Sequence, residues 1–274
     1  MAARAAEGTM RRPARLALTC LLAAAAPAPG ETLTPTGTLR AVYLAGNPAQ
    51  AVRDPETGAI RGVAADLARE LAKRLGVPVD IAPAASPQAV IDRVAGAAAD
   101  IGFVAFAPSR TGTVEFSQTY MHVQQSFLVR AESPIRAIAD IDRAGRKIAG
   151  SRNDSITLYM QRKFTQAAVV EIDPSPAEIG RLFAAGEIDA FGANRQRLTT
   201  LMGDMAGLRL LPGSLFGVPQ TIVLGKGKAD ALATVNRFLD EMRASGFIAR
   251  AIGASGIVGL DVAPGGSWQP RVPD

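Results

Sequence analysis

Residues 100–120 read DIGFVAFAPSRTGTVEFSQTY, and the rest of the chain is arranged around them. The stretch opens on an apolar strand at 101–106 and breaks at Pro108. It then presents one arginine, Arg110, beside Ser109, Thr111 and Thr113, and resumes an extended run at 114–117. A strand ending in a turn with one cation and several hydroxyls can receive an anion. Guanidinium offers a rigid donor fork that fits a carboxylate, and hydroxyls fill the remaining lone pairs. A lone exposed arginine is also a common surface residue, so the reading depends on what flanks it.

Upstream, residues 38–45 (TLRAVYLA) alternate and predict a first strand, ended by the turn signal at 46–48. Residues 53–58 (RDPETG) read as a hairpin-like turn. Residues 62–75 predict the clearest helix: Val63, Leu67, Leu71 and Leu75 recur every fourth position, charges lie opposite, and Gly76 closes it. Asp66 falls in its first turn, where the helix dipole favours an acid. A second strand is expected at 77–81 and a short helix at 87–98. Strand, helix, strand, helix, strand with short turns predicts a doubly wound parallel sheet. Ligands then sit beyond the C-terminal strand ends, which puts Asn47 and residues 103–110, with Phe103, Ala105 and Arg110, on one rim.

Downstream, 121–129 (MHVQQSFLV) is an extended passage carrying His122, Gln124 and Gln125. After a helical turn at 138–141, the chain repeats the strand–helix order. Strands are expected at 147–150, 169–172, 189–193 and 208–211, and helices at 156–164 and 176–185. The polar loop 151–155 precedes the first of these helices, with Asp154 or Ser155 able to cap it. A second extended passage at 218–224 leads to a terminal helix at 229–245. The two passages read as hinge strands, with Gln124 as a cleft-facing candidate. The expected division is lobe 1 at 37–122 plus 221–262, lobe 2 at 123–220, and a loose Gly/Pro-rich tail at 263–274.

Residues 1–30 read as a secretory signal: Arg11, Arg12 and Arg15, a short apolar run, then small residues. No later run is long enough to span a bilayer. The chain has 274 residues, 48% hydrophobic and 20% charged, which suits a sizeable core. Net charge is +5, but the basic residues are scattered and aromatics are 5%, a poor platform for nucleic acid. The single cysteine, Cys20, lies in the leader and the single histidine is His122. Metal sites of the Cys/His type and Ser-His triads are therefore disfavoured. No phosphate loop or nucleophile elbow is present, and no cofactor is expected.

The order of these motifs resembles the family 3 extracytoplasmic solute-binding proteins, the polar amino-acid receptors of ABC transporters. Arg110, Phe116, Ser117 and Tyr120 match that family's R-x5-F-S-x-P-Y region, with Thr119 where proline is usual. Residues 62–76 match its acidic amphipathic helix, and the resemblance spans about 37–260. It implies a periplasmic-binding-protein-like α/β fold, two doubly wound lobes joined by two hinge strands. It also implies a role for each matching position. Arg110 would clamp a ligand carboxylate, Asp154 and Ser155 would complete that site, and Asn194 would take the place of the ammonium-binding aspartate. Asn47 and Phe103 would shape the side-chain pocket. The neutral Asn194, the acidic Asp154 and the lack of Ser/Thr donors at 102–105 depart from the pattern, so a carboxylate that is not a standard α-amino acid is an open choice. The expected protein is a non-enzymatic, monomeric periplasmic receptor that passes a small carboxylate-bearing ligand to an ABC permease. The alternatives are a lyase of the cyclohexadienyl-dehydratase type on the same fold, and a sensor without transport.

Overall fold

The computed structural model describes Met1 and residues 33–152, 154–173 and 175–265. The expected signal at 1–30 and the tail beyond 265 lie outside these residues.

The first half opens with strand β1 (Leu39–Leu44), a short hairpin of β2 (Val52–Arg53) and β3 (Ile60–Arg61), and helix α1 (Val63–Leu75). The α1 sequence follows the charge and C-terminal rules of helices, although Gly62 at its start supplies no side-chain cap. Asp66 sits in the first turn, Lys73 and Arg74 in the last, and Gly76 ends it at φ 69°. Leu67 and Leu71 on its inner face are fully buried, each contributing about 1.5–3 kcal/mol. Strand β4 (Val79–Ala84), helix α2 (Pro87–Ala95) and strand β5 (Ile101–Ala105) follow. Ser86 caps α2 by accepting from the Ala89 amide at 3.1 Å. The Arg110 turn is a single 3-10 turn at Pro108–Arg110, and β6 (Val114–Phe116) completes the central stretch.

The second half begins on β7 (Met121–Arg130), then β8 (Lys147–Ser151), α3 (Ser155–Lys163), β9 (Ala168–Ile172), α4 (Pro176–Ala184), β10 (Ala190–Asn194), α5 (Arg195–Asp204) and β11 (Leu208–Leu210). The chain returns on β12 (Phe216–Gly225) and ends with α6 (Ala229–Ala244), α7 (Phe247–Ser255) and β13 (Leu260–Val262).

The principal sheet has eleven strands along the path β4-β1-β5-β12-β7-β10-β8-β9, with β6 beside β12, and β11 and β13 beside β7. β1 is parallel to β4 and β5, and β8 to β9 and β10. β12 and β7 run antiparallel to each other and to their flanking strands. The fold is thus the expected pair of doubly wound α/β halves joined by two long strands.

Each half buries both sheet faces. In the first, Leu39, Ala41, Tyr43, Ile101 and Phe103 pack under α1, α6 and α7, while Val42 and Val104 pack on Val90 and Val94 of α2. In the second, Phe127, Val129 and Ile148 meet α3, while Leu128, Ala149 and Phe191 meet α4 and α5. Alternation along β7 assigns Phe127 and Leu128 to opposite faces. Asp100, its side chain fully buried, holds β1 to the start of β5. It accepts from the Arg40 backbone N–H at 2.8 Å and from the guanidinium at 2.6 and 3.1 Å.

Several boundaries differ from expectation. Helix α2 stops at Ala95 and β4 starts at Val79. Two helices, α5 and α7, and strand β13 are additional. The tail does not begin loose: Ala263 is buried, donates to the Tyr120 carbonyl at 3.2 Å and accepts from Arg243 Nε at 2.8 Å. Among the described residues no helix is long and apolar enough to cross a membrane.

Candidate functional site

Strand register puts two rims opposite each other. β5 runs in the same direction as β7, with Ala105 and Met121 both beside Gln220 of β12. β10 runs against β7, with Asn194 beside Gln125. The C-terminal ends of β5 and β10 therefore point at one another across the β7–β12 ribbon. Four residue steps along β7, from Met121 to Gln125, separate the two rows, about 13 Å at ~3.3 Å per residue. Paired residues share a face. One face of the ribbon carries Ala105, Gln220 and Met121 at one end, Val123 and Val218 in the middle, and Asn194, Gln125 and Phe216 at the other.

On the first rim, the Arg110 turn is fastened at both ends. The Phe106 amide donates to the Pro219 carbonyl at 2.9 Å, and Phe106 and Phe116 meet edge-on with centroids 5.0 Å apart. Arg110 is half-buried and donates Nη1 to the Ala105 carbonyl at 3.2 Å. It makes no ion pair with a described residue, and burial without a counter-ion pushes its guanidinium below the usual value. The hydroxyl of Thr111 is spent on the Pro108 carbonyl at 2.8 Å. Asn47 accepts from the Ala49 amide at 3.2 Å. Its loop is anchored by buried Gln50, which accepts from the Leu44 amide at 3.0 Å and donates to Gln220 at 3.2 Å. Asn47, Ala105 and Arg110 therefore share this rim.

On the second rim, α3 comes down close because β8 and β10 present glycines to it. A Cβ on Gly150 would lie 2.2 Å from Thr157 Oγ1, and one on Gly192 would lie 3.1 Å from Ile156 Cδ1. Asp154 occupies the N-cap position of α3, but its side chain makes no capping bond and instead accepts from Ser155 Oγ at 3.3 Å. Asn194 caps α5 by accepting from the Arg197 amide at 2.9 Å. Asp154, Ser155 and Asn194 thus belong together here, opposite Arg110.

Two expectations need correction. Phe103 is a core residue, 1% exposed and T-shaped to Tyr120 at 6.1 Å, because alternation along β5 turns it under α1. Gln124 falls on the ribbon face of His122, opposite the face of Asn194, and its amide donates to Asp261 of β13. The residue that shares Asn194's row is Gln125, 3% exposed, donating to the Val123 carbonyl at 3.3 Å while its Oε1 has no partner. Phe216 lies beside it, and Tyr159 of α3 stacks on Phe216 with centroids 4.7 Å apart. The period-2 pattern of strands carried this signal, since Gln125 and Phe127 share parity. A hollow of about 410 Å³ lies between α1 and α7, lined by Asp66, Arg69 and Ala254 among others, and one of about 420 Å³ beside it is lined by Pro48, the β2–β3 hairpin, Gly62 and Ala254.

Residues 39–253 match the model of the bacterial extracellular solute-binding proteins, family 3. The ABC transporter glutamine-binding protein GlnH of Bacillus subtilis is 22% identical over 199 residues, 71% of this chain and 72% of that protein. A structure from Wolinella succinogenes, described as an ABC-transporter binding component complexed with lysine, is 25% identical. It aligns with a TM-score of 0.62, over 80% of this chain and 95% of that one. An ancestral cyclohexadienyl dehydratase is 24% identical with a TM-score of 0.57, over 84% and 96%.

Proposed function

This chain belongs to the bacterial extracellular solute-binding proteins, family 3, and from that premise we propose that it is a periplasmic receptor for a small carboxylate-bearing ligand, an amino acid or related compound. In this reading it acts as a monomer and delivers the ligand to the permease of an ABC transporter. Lobe 1 is 37–122 plus 221–262 and lobe 2 is 123–220. Their separate cores and the shared β7–β12 ribbon support that division. Ligand bound between the rims draws them together, because it binds the closed form better than the open one. The single observation that carries the reading is the half-buried Arg110 guanidinium, without a carboxylate partner among the described residues, on a rim that faces a second polar rim.

Isothermal titration with a panel of amino acids and simple carboxylates, on wild type and Arg110→Ala, tests this. Carboxylate binding that collapses in the variant supports it; no carboxylate bound by either protein, or equal binding by both, sinks it. The dehydratase likeness sets the control: incubation with prephenate and arogenate is expected to leave both unchanged.

A further inference from the structure

Two side-chain amides meet on the second rim, and the backbone has fixed which end of each is engaged and which is left over. Asn194 and Gln125 are directly paired across β10 and β7, so their Cβ atoms are about 4.5–5.5 Å apart on one face. The Arg197 amide can only donate, so it holds Asn194 Oδ1 and leaves the Asn194 NH2 outward with no described partner. The Val123 carbonyl can only accept, so it holds Gln125 Nε2 and leaves Gln125 Oε1 buried and unpartnered. An unmatched acceptor at 3% exposure is costly unless something donates to it.

Resting on the carboxylate-receptor reading, we propose that this pair is a subsite for a neutral primary carboxamide on the ligand. The ligand carbonyl accepts from Asn194, and the ligand N–H donates to Gln125. An ammonium would satisfy Gln125 but face the Asn194 NH2, and a carboxylate would satisfy Asn194 but face the Gln125 oxygen. Only a group holding both a donor and an acceptor satisfies the two. Phe216, in the same row as Gln125, and Tyr159 stacked on it give the planar amide an aromatic wall.

Two matched acid series test this by isothermal titration: succinamate, succinate and 3-aminopropanoate, then glutaramate, glutarate and 4-aminobutanoate. The amide of at least one series is expected to bind about tenfold or more tighter than its ammonium and dicarboxylate counterparts, because a buried polar group left unmatched is penalised. Gln125→Met should erase that margin, because the amide loses its acceptor while the dicarboxylate no longer faces the Gln125 oxygen; the ammonium acid, which also donates to that oxygen, should weaken. Asn194→Asp, which keeps the α5 cap, should shift preference toward the ammonium acids. An ammonium acid or dicarboxylate that outbinds both amides in wild type overturns the subsite and leaves the Arg110 reading intact. An amide preference untouched by Gln125→Met also overturns it. If neither amide binds, the subsite falls; if, in addition, no carboxylate of the wider panel depends on Arg110, the receptor reading falls with it.

Discussion

On the first rim the Arg110 guanidinium gives one bond to a carbonyl and meets no carboxylate of a described residue. On the second, the side chains singled out from the sequence are already engaged locally, Asn194 with the α5 backbone and Ser155 with Asp154. The first rim therefore offers charge, and the second offers shape and leftover amide groups. On the proposed reading, the Arg110 rim, whose guanidinium has no ion-pair partner among the described residues, would dominate affinity, and the rim of half-used amides would discriminate between ligands. On that reading the C-terminal strand ends of the two halves are equipped for two different tasks.

Removing the charge should break the comparison most severely. Arg110→Ala is expected to cost about 2–5 kcal/mol of binding, roughly 30- to several-thousand-fold, by leaving a buried ligand carboxylate unpaired. Arg110→Lys should recover part of this, because an ammonium lacks the bidentate fork. Thermal melts of both apo variants should stay close to wild type, since no described fold contact beyond the Ala105 carbonyl is lost. Loss of folding together with binding would mean that Arg110 is structural and the two rims are equivalent.

The next effect is on stability and belongs to the second half. Gly150→Ala drives a methyl into Thr157 Oγ1, with an overpacking cost of about 1–3 kcal/mol and a Tm fall of roughly 2–12 °C. The double variant Gly150→Ala/Thr157→Ala should recover most of it. A Gly150→Ala melt identical to wild type would show that α3 is free to lift off the strands.

Smaller again are the caps. Asn194→Ala and Ser86→Ala should each lose about 1 kcal/mol, one from each half. Only the first should also change ligand affinity. Equal binding by the two variants would remove Asn194 from the site.

The smallest effect is at the ribbon. Burial pushes the His122 imidazole below its usual value, partly offset by Asp261. The unfolded chain then binds the extra proton more readily, so stability is complete above the unfolded value near 6.5 and falls as pH drops toward the lower folded value. A slight Tm decrease below about pH 6.5, absent in His122→Gln, is the expected profile. A Tm that rises on acidification would reverse the sign and point to Asp261 as the stronger influence.

How legible these features were follows from how local their causes are. α1 announces itself because Val63, Leu67 and Leu71 share a stripe and Gly76 ends it. α5 was missed because RQRLTTLMGD buries only Leu198 and Leu201, too few to set a period. α7 was missed although Gly246 and Gly256, at φ 70° and 66°, bracket it. Arg110 could be read from one turn. The Gln125–Asn194 pair could not, because it depends on register between strands about 65 residues apart in the chain.

The double crossing of the ribbon also orders the assembly of the molecule in time. The second half closes on contiguous chain, from Phe127 to Phe216 at the start of β12. The first half needs β12 beside β5, with Ile222 opposite Phe103, and its core includes α6 and α7. Contacts of such sequence separation form late, after the entropy of the intervening loop has been met. Pulsed hydrogen exchange during refolding should protect the amides of Leu128 and Phe191 before those of Val104 and Ile222. On this order the half that carries Arg110 is expected to become a structure last, once the chain from Phe216 onward arrives to complete its core.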